Sequence, residues 1–214
     1  MEKDKGGKMN VKMSESFWLE EYLWSFLLED YVKVNDTQFW LIKRHANDIM
    51  QPIADKFGKC TIISGVRNKE EIDIMKERDE YEPCSATDHA FLDPEVYQFG
   101  VGAADFIPKE SSILEVQRWI MEQALKRNLP LGQSIIYWNS ESEDWDHIHI
   151  SLLRSVVFQK QFAYDNLNNY GKFLLAFDRG KNGYRKIYLN SKGKIEGVPE
   201  NIARVQMNKN ILEI

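Results

Sequence analysis

His147 and His149 stand one residue apart in Trp145-Asp-His-Ile-His-Ile-Ser151, beside the carboxylate of Asp146, and are two of only four histidines in 214 residues. The run reads as a strand, and along a strand residues i and i+2 point to one face. The two imidazoles therefore project together, which a buried face seldom accepts without a purpose. Neutral imidazole is the commonest metal ligand among side chains, so the expected chemistry is metal ligation, with zinc-assisted hydrolysis as its use. A catalytic zinc takes about three protein ligands from His, Asp, Glu and Cys and keeps a further position open. The candidates are His149, His89 in Ser85-Ala-Thr-Asp-His89, and Asp105 at the end of Gly102-Ala-Ala-Asp105, where small residues permit close backbone approach.

Four motifs then follow one another in order: Ser64-Gly-Val-Arg67, His89, Gly102-Ala-Ala-Asp105 and His147-Ile-His149-Ile-Ser151. In this order they resemble the D-alanyl-D-alanine carboxypeptidase-like zinc peptidases, of the superfamily that also holds lysostaphin-type enzymes and Sonic hedgehog and includes many bacteriophage endolysins. The resemblance runs from about Ser16 to Ser155 and takes in Met50-Gln-Pro-Ile-Ala-Asp-Lys-Phe-Gly58, where Pro52 becomes a family feature. It implies that His89, Asp105 and His149 hold zinc, that Asp146 is the general base and later the proton donor, and that His147 steadies the oxyanion. Arg67 is implied to face a carboxylate or carbonyl of the substrate, for which its planar fork of donors is suited. The implied substrate is the peptide stem of bacterial peptidoglycan, cut in the manner of a D-Ala-D-Ala carboxypeptidase or an L-Ala-D-Glu endopeptidase. His89 and Asp105 are sixteen residues apart where the family has seven, which implies an insertion over roughly 91–99, and Val101 stands at the family's glycine position.

Several elements must position these groups. Leu19, Tyr22, Leu23, Phe26 and Leu27 recur at helical spacing and predict a helix over 17–28. A second helix is expected from Thr37 to Phe57, kinked at Pro52 and closed by Gly58. Strands are expected at Cys60–Ser64, Ala103–Ile107, Ser134–Trp138 and His147–Leu152, with helices over 69–78 and from Ser112, capped with Glu115, to Arg127. Residues 79–101 read as a long loop, 166–177 as a helix, and 184–196 as a hairpin turning at Ser191-Lys-Gly193. The sum is α+β, with helices on a small mixed or antiparallel sheet of hedgehog/D-Ala-D-Ala peptidase type. Residues 1–13 are expected to be a flexible tail, 14–155 the zinc peptidase-like domain, and 156–214 a C-terminal extension.

Composition narrows the function. With 43% hydrophobic and 29% charged residues, the chain is an ordinary globular protein with enough length for a core. A net charge of −5 without a Lys/Arg cluster argues against nucleic acid as a partner. No apolar stretch approaches a membrane span, and residues 1–12 are polar and Lys-rich, without the apolar core of a signal peptide. Synthesis in the cytoplasm is therefore expected, and the resemblance implies release to the wall through a phage pore or carriage in a virion. Cys60 and Cys84 have no ligand spacing and read as reduced thiols.

Each motif also has a plainer interpretation. Arg67 could serve a structural ion pair, Asp105 could cap a turn, and His45 reads as a surface or internally satisfied helix histidine. The acidic run Glu141, Glu143 and Asp144 reads as a solvated loop with a reserve base. The alternative for the whole chain is a non-catalytic structural or virion protein that keeps the peptidase fold, with or without a zinc. It differs from an enzyme in having a closed metal site.

Overall fold

The computed structural model describes residues 11–77, 88–91, 102–126, 128–139, 144–152, 172–180, 183–190 and 195–196. Helices and strands mix in an α+β arrangement. The chain divides into two compact units, Met1–Lys109 with Ile150–Leu152, and Glu110–His149 with Leu153–Ile214. Residues 1–10 of the expected tail lie outside the described residues, but 11–13 belong to the fold. Met13 is buried, Leu19 N–H bonds Val11 O at 2.8 Å, and Lys12 bridges Trp18.

The first unit opens with helix α1 (Leu19–Leu23), a short hairpin of β1 (Trp24–Ser25) and β2 (Asp30–Tyr31), and helix α2 (Asp36–His45). The helix expected over 17–28 is therefore cut short. Trp24 turns extended, its ring meets Tyr31 edge-on at 5.2 Å, and Ser25 is drawn inward to donate to Glu71 at 2.5 Å. Asn35, rather than Thr37, caps α2, in a reciprocal box with Gln38 (2.9 Å each way). The predicted kink at Pro52 takes a specific form. A π-turn (Ala46–Met50) interrupts the ladder, and helix α3 (Gln51–Phe57) starts afresh with Pro52 in its first turn, where no N–H is needed. Gly58 ends α3 at φ 79°, as expected of a C-cap.

Strand β3 (Thr61–Ser64), helix α4 (Lys69–Glu77), a single 3₁₀ turn (Asp88–Ala90) and strand β4 (Ala103–Ile107) follow. β3 and β4 pair antiparallel, with Ile62 opposite Phe106 and, after a bulge, Ser64 opposite Asp105. The extra residue of a bulge re-aims the side chains beyond it, and here it brings the Ser64-Gly-Val-Arg67 turn alongside the end of β4. Tyr22, Phe17, Ile42, Ile49, Met50, Ile53, Phe91 and Phe106 form the fully buried core of this unit.

The second unit holds helix α5 (Ile113–Leu125), strand β5 (Leu131–Asn139), most of β6 (Asp144–Leu152), and strands β7 (Lys172–Gly180), β8 (Gly183–Asn190) and β9 (Ile195–Glu196). The Ser112 cap is present, since Glu115 N–H bonds its Oγ at 3.2 Å. β5 and β7 pair parallel, β7 with β8 and β8 with β9 antiparallel. The expected hairpin is thus found, but the helix expected to 177 is overturned from Lys172 onward, and 166–171 lie outside the described residues. Phe173, Leu174, Ala176 and Phe177 suit either period. Pairing on both sides decides for strand. Among the described residues, no helix is long and apolar enough to cross a membrane.

Glu71 ties α4 to the hairpin and carries a pH signature. Burial pushes its carboxyl above the ordinary value of 4.5, against the opposing effects of the Ser25 hydroxyl and the Arg67 charge. A carboxyl raised on folding stabilises below the unfolded value, and that contribution is lost as pH rises through the folded value. Glu71→Gln keeps an acceptor for Ser25 without the charge. Its stability relative to wild type is expected to rise as pH increases above about 4.5, and denaturation at a series of pH values would show this. A constant difference from pH 4 to pH 8 would contradict it.

Candidate metal centre

The turn Ser64–Arg67 shapes the site. Ser64 Oγ accepts from Arg67 Nε at 3.0 Å, and Arg67 N–H bonds His89 O at 3.0 Å. Gly65 has no room for a side chain, because an added Cβ would lie 2.2 Å from Tyr22 O and 2.6 Å from Tyr22 Cα. Its carbonyl accepts from His89 Nδ1 at 2.6 Å. A carbonyl can only accept, so Nδ1 carries the hydrogen, and a neutral His89 ring presents its lone pair at Nε2. This is the outer-sphere hydrogen bond that metal-binding histidines commonly use.

His89 Nε2 faces Asp105 Oδ1 at 3.2 Å. The other oxygen, Oδ2, accepts from Arg67 Nη2 at 2.7 Å. Two acceptors facing one another in a buried place repel unless a cation sits between them, either a proton on the ring or a metal ion. The spacing suits a metal. Two ligand atoms about 2.0–2.1 Å from a tetrahedral ion lie roughly 3.3 Å apart.

His149 completes the group. The unit boundary cuts β6 at the His149–Ile150 peptide, so His149 is bonded directly to a residue of the first unit. That end of β6 is anchored by Leu152 N–H to Gly102 O (2.8 Å) and by Ile150 O to His45 Nε2 (3.1 Å). One ligand atom each from His89, Asp105 and His149 lies within 4.8 Å of the others, and all three residues are buried. The donor set of two imidazoles and one carboxylate, with one ring oriented by a backbone carbonyl, fits a zinc ion.

Phe91 and Gly102, which bracket most of the wider spacing between His89 and Asp105, lie against each other. Phe91 (φ 47°) packs its ring where a Cβ on Gly102 (φ 133°) would come within 2.7 Å. Residues 92–101, most of the expected insertion, lie outside the described residues, but their two ends are in contact. Gln38 adds a tie by donating to Ala90 O at 3.1 Å.

The other expected site residues take up different positions. Asp146 and His147 stand outside the metal group and bond to one another, Oδ2 to Nδ1, at 3.0 Å. The offset of two keeps His147 on the face of His149, and Tyr137 stacks on its ring at 4.3 Å. Arg67, expected to face substrate or to serve a structural ion pair, directs Nη2 at Asp105 and Nε at Ser64. Cys60 is a buried thiol, pushed up to about 12 by burial. Cys84, Glu141 and Glu143 lie outside the described residues.

His45 is the internally satisfied helix histidine that was one of its two readings, and the carbonyl of Gly65 is a contact of the site that sequence reasoning passed over. Only the quoted Ser-Gly-Val-Arg run hinted at the second. Comparison with family models, curated proteins and solved structures finds no match.

Proposed function

We propose that this chain is a zinc-dependent peptidase, on a hedgehog/D-Ala-D-Ala peptidase-like fold, that hydrolyses an amide bond in the peptide stem of bacterial peptidoglycan. The observation that carries the metal reading is the convergence of one ligand atom each from buried His89, Asp105 and His149 within 4.8 Å of one another. The peptide-stem substrate rests on the order of the four motifs. On this reading the enzyme reaches the wall through a phage pore or inside a virion.

His89, Asp105 and His149 would hold the ion. When bound, zinc supplies Lewis acidity, polarising a carbonyl and making water acidic enough to lose a proton near neutral pH. Asp146 retains side-chain exposure of 33%, enough to meet a water molecule. As general base it takes the proton at its carboxylate, 3.0 Å from His147 Nδ1. With a hydrogen on both nitrogens, the His147 ring, held by that bond and by stacking on Tyr137, donates from Nε2 to the developing oxyanion.

Asp146→Asn and His147→Ala are each expected to keep zinc while losing about 10²–10⁴-fold in the rate of muropeptide cleavage. Bound metal is measured on the purified protein, and cleavage by mass spectrometry of digested cell walls, where product termini also identify the bond. Wild-type rates in both variants would remove Asp146 and His147 from the chemistry.

One observation favours the second reading, a structural zinc protein. All three ligands are less than a tenth exposed, at 2%, 5% and 7%. Structural sites are closed, whereas catalytic ones keep an open position. That reading predicts a melting temperature that depends on zinc, with no muropeptide product from any variant.

A further inference from the structure

His45 ends α2 with no exposed surface, and both of its ring nitrogens are engaged. Nε2 meets Ile150 O at 3.1 Å and Nδ1 meets the Tyr22 hydroxyl at 3.0 Å. A carbonyl cannot donate, so Nε2 carries the hydrogen. In the neutral ring Nδ1 then holds the lone pair, and Tyr22 must be the donor. For a neutral ring the two partners thus allow one tautomer. Burial above all, with a smaller effect of Glu21, holds the Tyr22 phenol well above its usual range, so the hydroxyl keeps its proton.

Tyr22 is fixed by the same turn that orients His89. Val66 N–H bonds Tyr22 O at 2.8 Å, and Gly65 lies against the Tyr22 backbone. A chain of contacts therefore leads from the Ser64–Arg67 turn through Tyr22 and His45 to the carbonyl of Ile150. The neighbouring residue in β6 is His149. The turn also reaches His89 through the Gly65 carbonyl and Asp105 through Arg67.

We propose that His45 is a positioning residue of the metal centre, whose Nε2–H to Ile150 O bond holds β6 so that His149 stays in ligating register with His89 and Asp105. All three ligands are then referenced to one four-residue turn, although they are spread over 60 residues of sequence (149 − 89 = 60). The inference rests on the metal reading above and adds to it a residue that touches neither ion nor substrate.

Two substitutions separate positioning from mere packing. In His45→Gln, the amide nitrogen falls near the place of Nε2 and can still donate to Ile150 O. In His45→Asn, the shorter amide reaches only the Nδ1 position and serves Tyr22 alone. Zinc affinity is measured by chelator competition on each purified protein, with folding checked by circular dichroism. The absorption of bound Co²⁺ reports the ligand geometry. His45→Asn is expected to weaken zinc about 10–100-fold and to alter the Co²⁺ spectrum, while His45→Gln stays within about threefold of wild type.

Equal losses in the two variants, or none in either, would overturn the proposal while leaving the metal reading intact. Absence of zinc binding by the wild type would overturn both. Should a His45 variant fail to fold, Tyr22→Phe carries the test, because it removes only the hydroxyl that fixes the tautomer. A loss of at least threefold in zinc affinity is then expected, and an unchanged affinity overturns the proposal.

Discussion

Asp105→Ala is expected to abolish measurable zinc binding and, independently, to destabilise the metal-free protein by about 3–5 kcal/mol. The first effect follows from removing the one anionic member of the ligand group. The second follows from what remains. Arg67 has a side chain only 16% exposed, and its Nη2 would lose the carboxylate it meets at 2.7 Å. A buried charge stripped of its partner costs far more than the pair was worth. Asp105→Asn separates the two losses, since it keeps an acceptor for Arg67 but gives up the negative charge. Zinc titration and chemical denaturation of metal-free protein measure each effect in turn. Full zinc affinity in Asp105→Ala would dispose of the proposed centre.

Gly65→Ala is expected to be nearly as damaging, although the residue contributes only backbone. A methyl group at this position would meet three backbone atoms of Tyr22, at 2.2, 2.6 and 2.7 Å. Backbone inside a packed core cannot rotate aside as a flexible side chain can. The cost should therefore lie at or above the upper end of overpacking penalties, about 3 kcal/mol. Any outward shift of residue 65 also moves the carbonyl that holds His89 Nδ1 at 2.6 Å. Zinc affinity should fall together with stability, whereas an ordinary core clash would spare the metal. Denaturant midpoints and zinc titration on the same preparation decide the matter, and wild-type values in both would contradict the close packing at this turn.

The strands that carry the site could be read from residue order because their signals are local. Cys60-Thr-Ile-Ile-Ser64 and Ala103–Ile107 are short apolar runs between turn residues, and they form β3 and β4 with little change. The ligand trio was legible for a different reason, the rarity and placement of its residue types. Tertiary pairing defeated the local signals elsewhere. Helical spacing continues past Leu23, yet Ser25 is claimed by Glu71 from 46 residues away and the chain turns into a hairpin. Period alone could not distinguish strand from helix in Lys172–Gly180, since the deciding partners belong to β5 and β8. His45 is the internally satisfied histidine that was one of its two readings, but its partners could not be named, since they lie 23 and 105 residues off, where no spacing rule reaches. Arg67 carries the clearest lesson. Its type suited either an outside carboxylate or a structural ion pair, and the carboxylate it meets is one of the chain's own, that of Asp105.

The contact between Phe91 and Gly102 has a consequence for how such a protein can diversify. Closing a chain segment costs about (3/2)RT ln n, so doubling its length adds only about 0.6 kcal/mol once its ends are clasped. The aromatic ring against a bare glycine is such a clasp, set immediately beside two ligands. A change of length between those two points is therefore cheap for the fold, since the clasp and not the segment sets the distance between its ends.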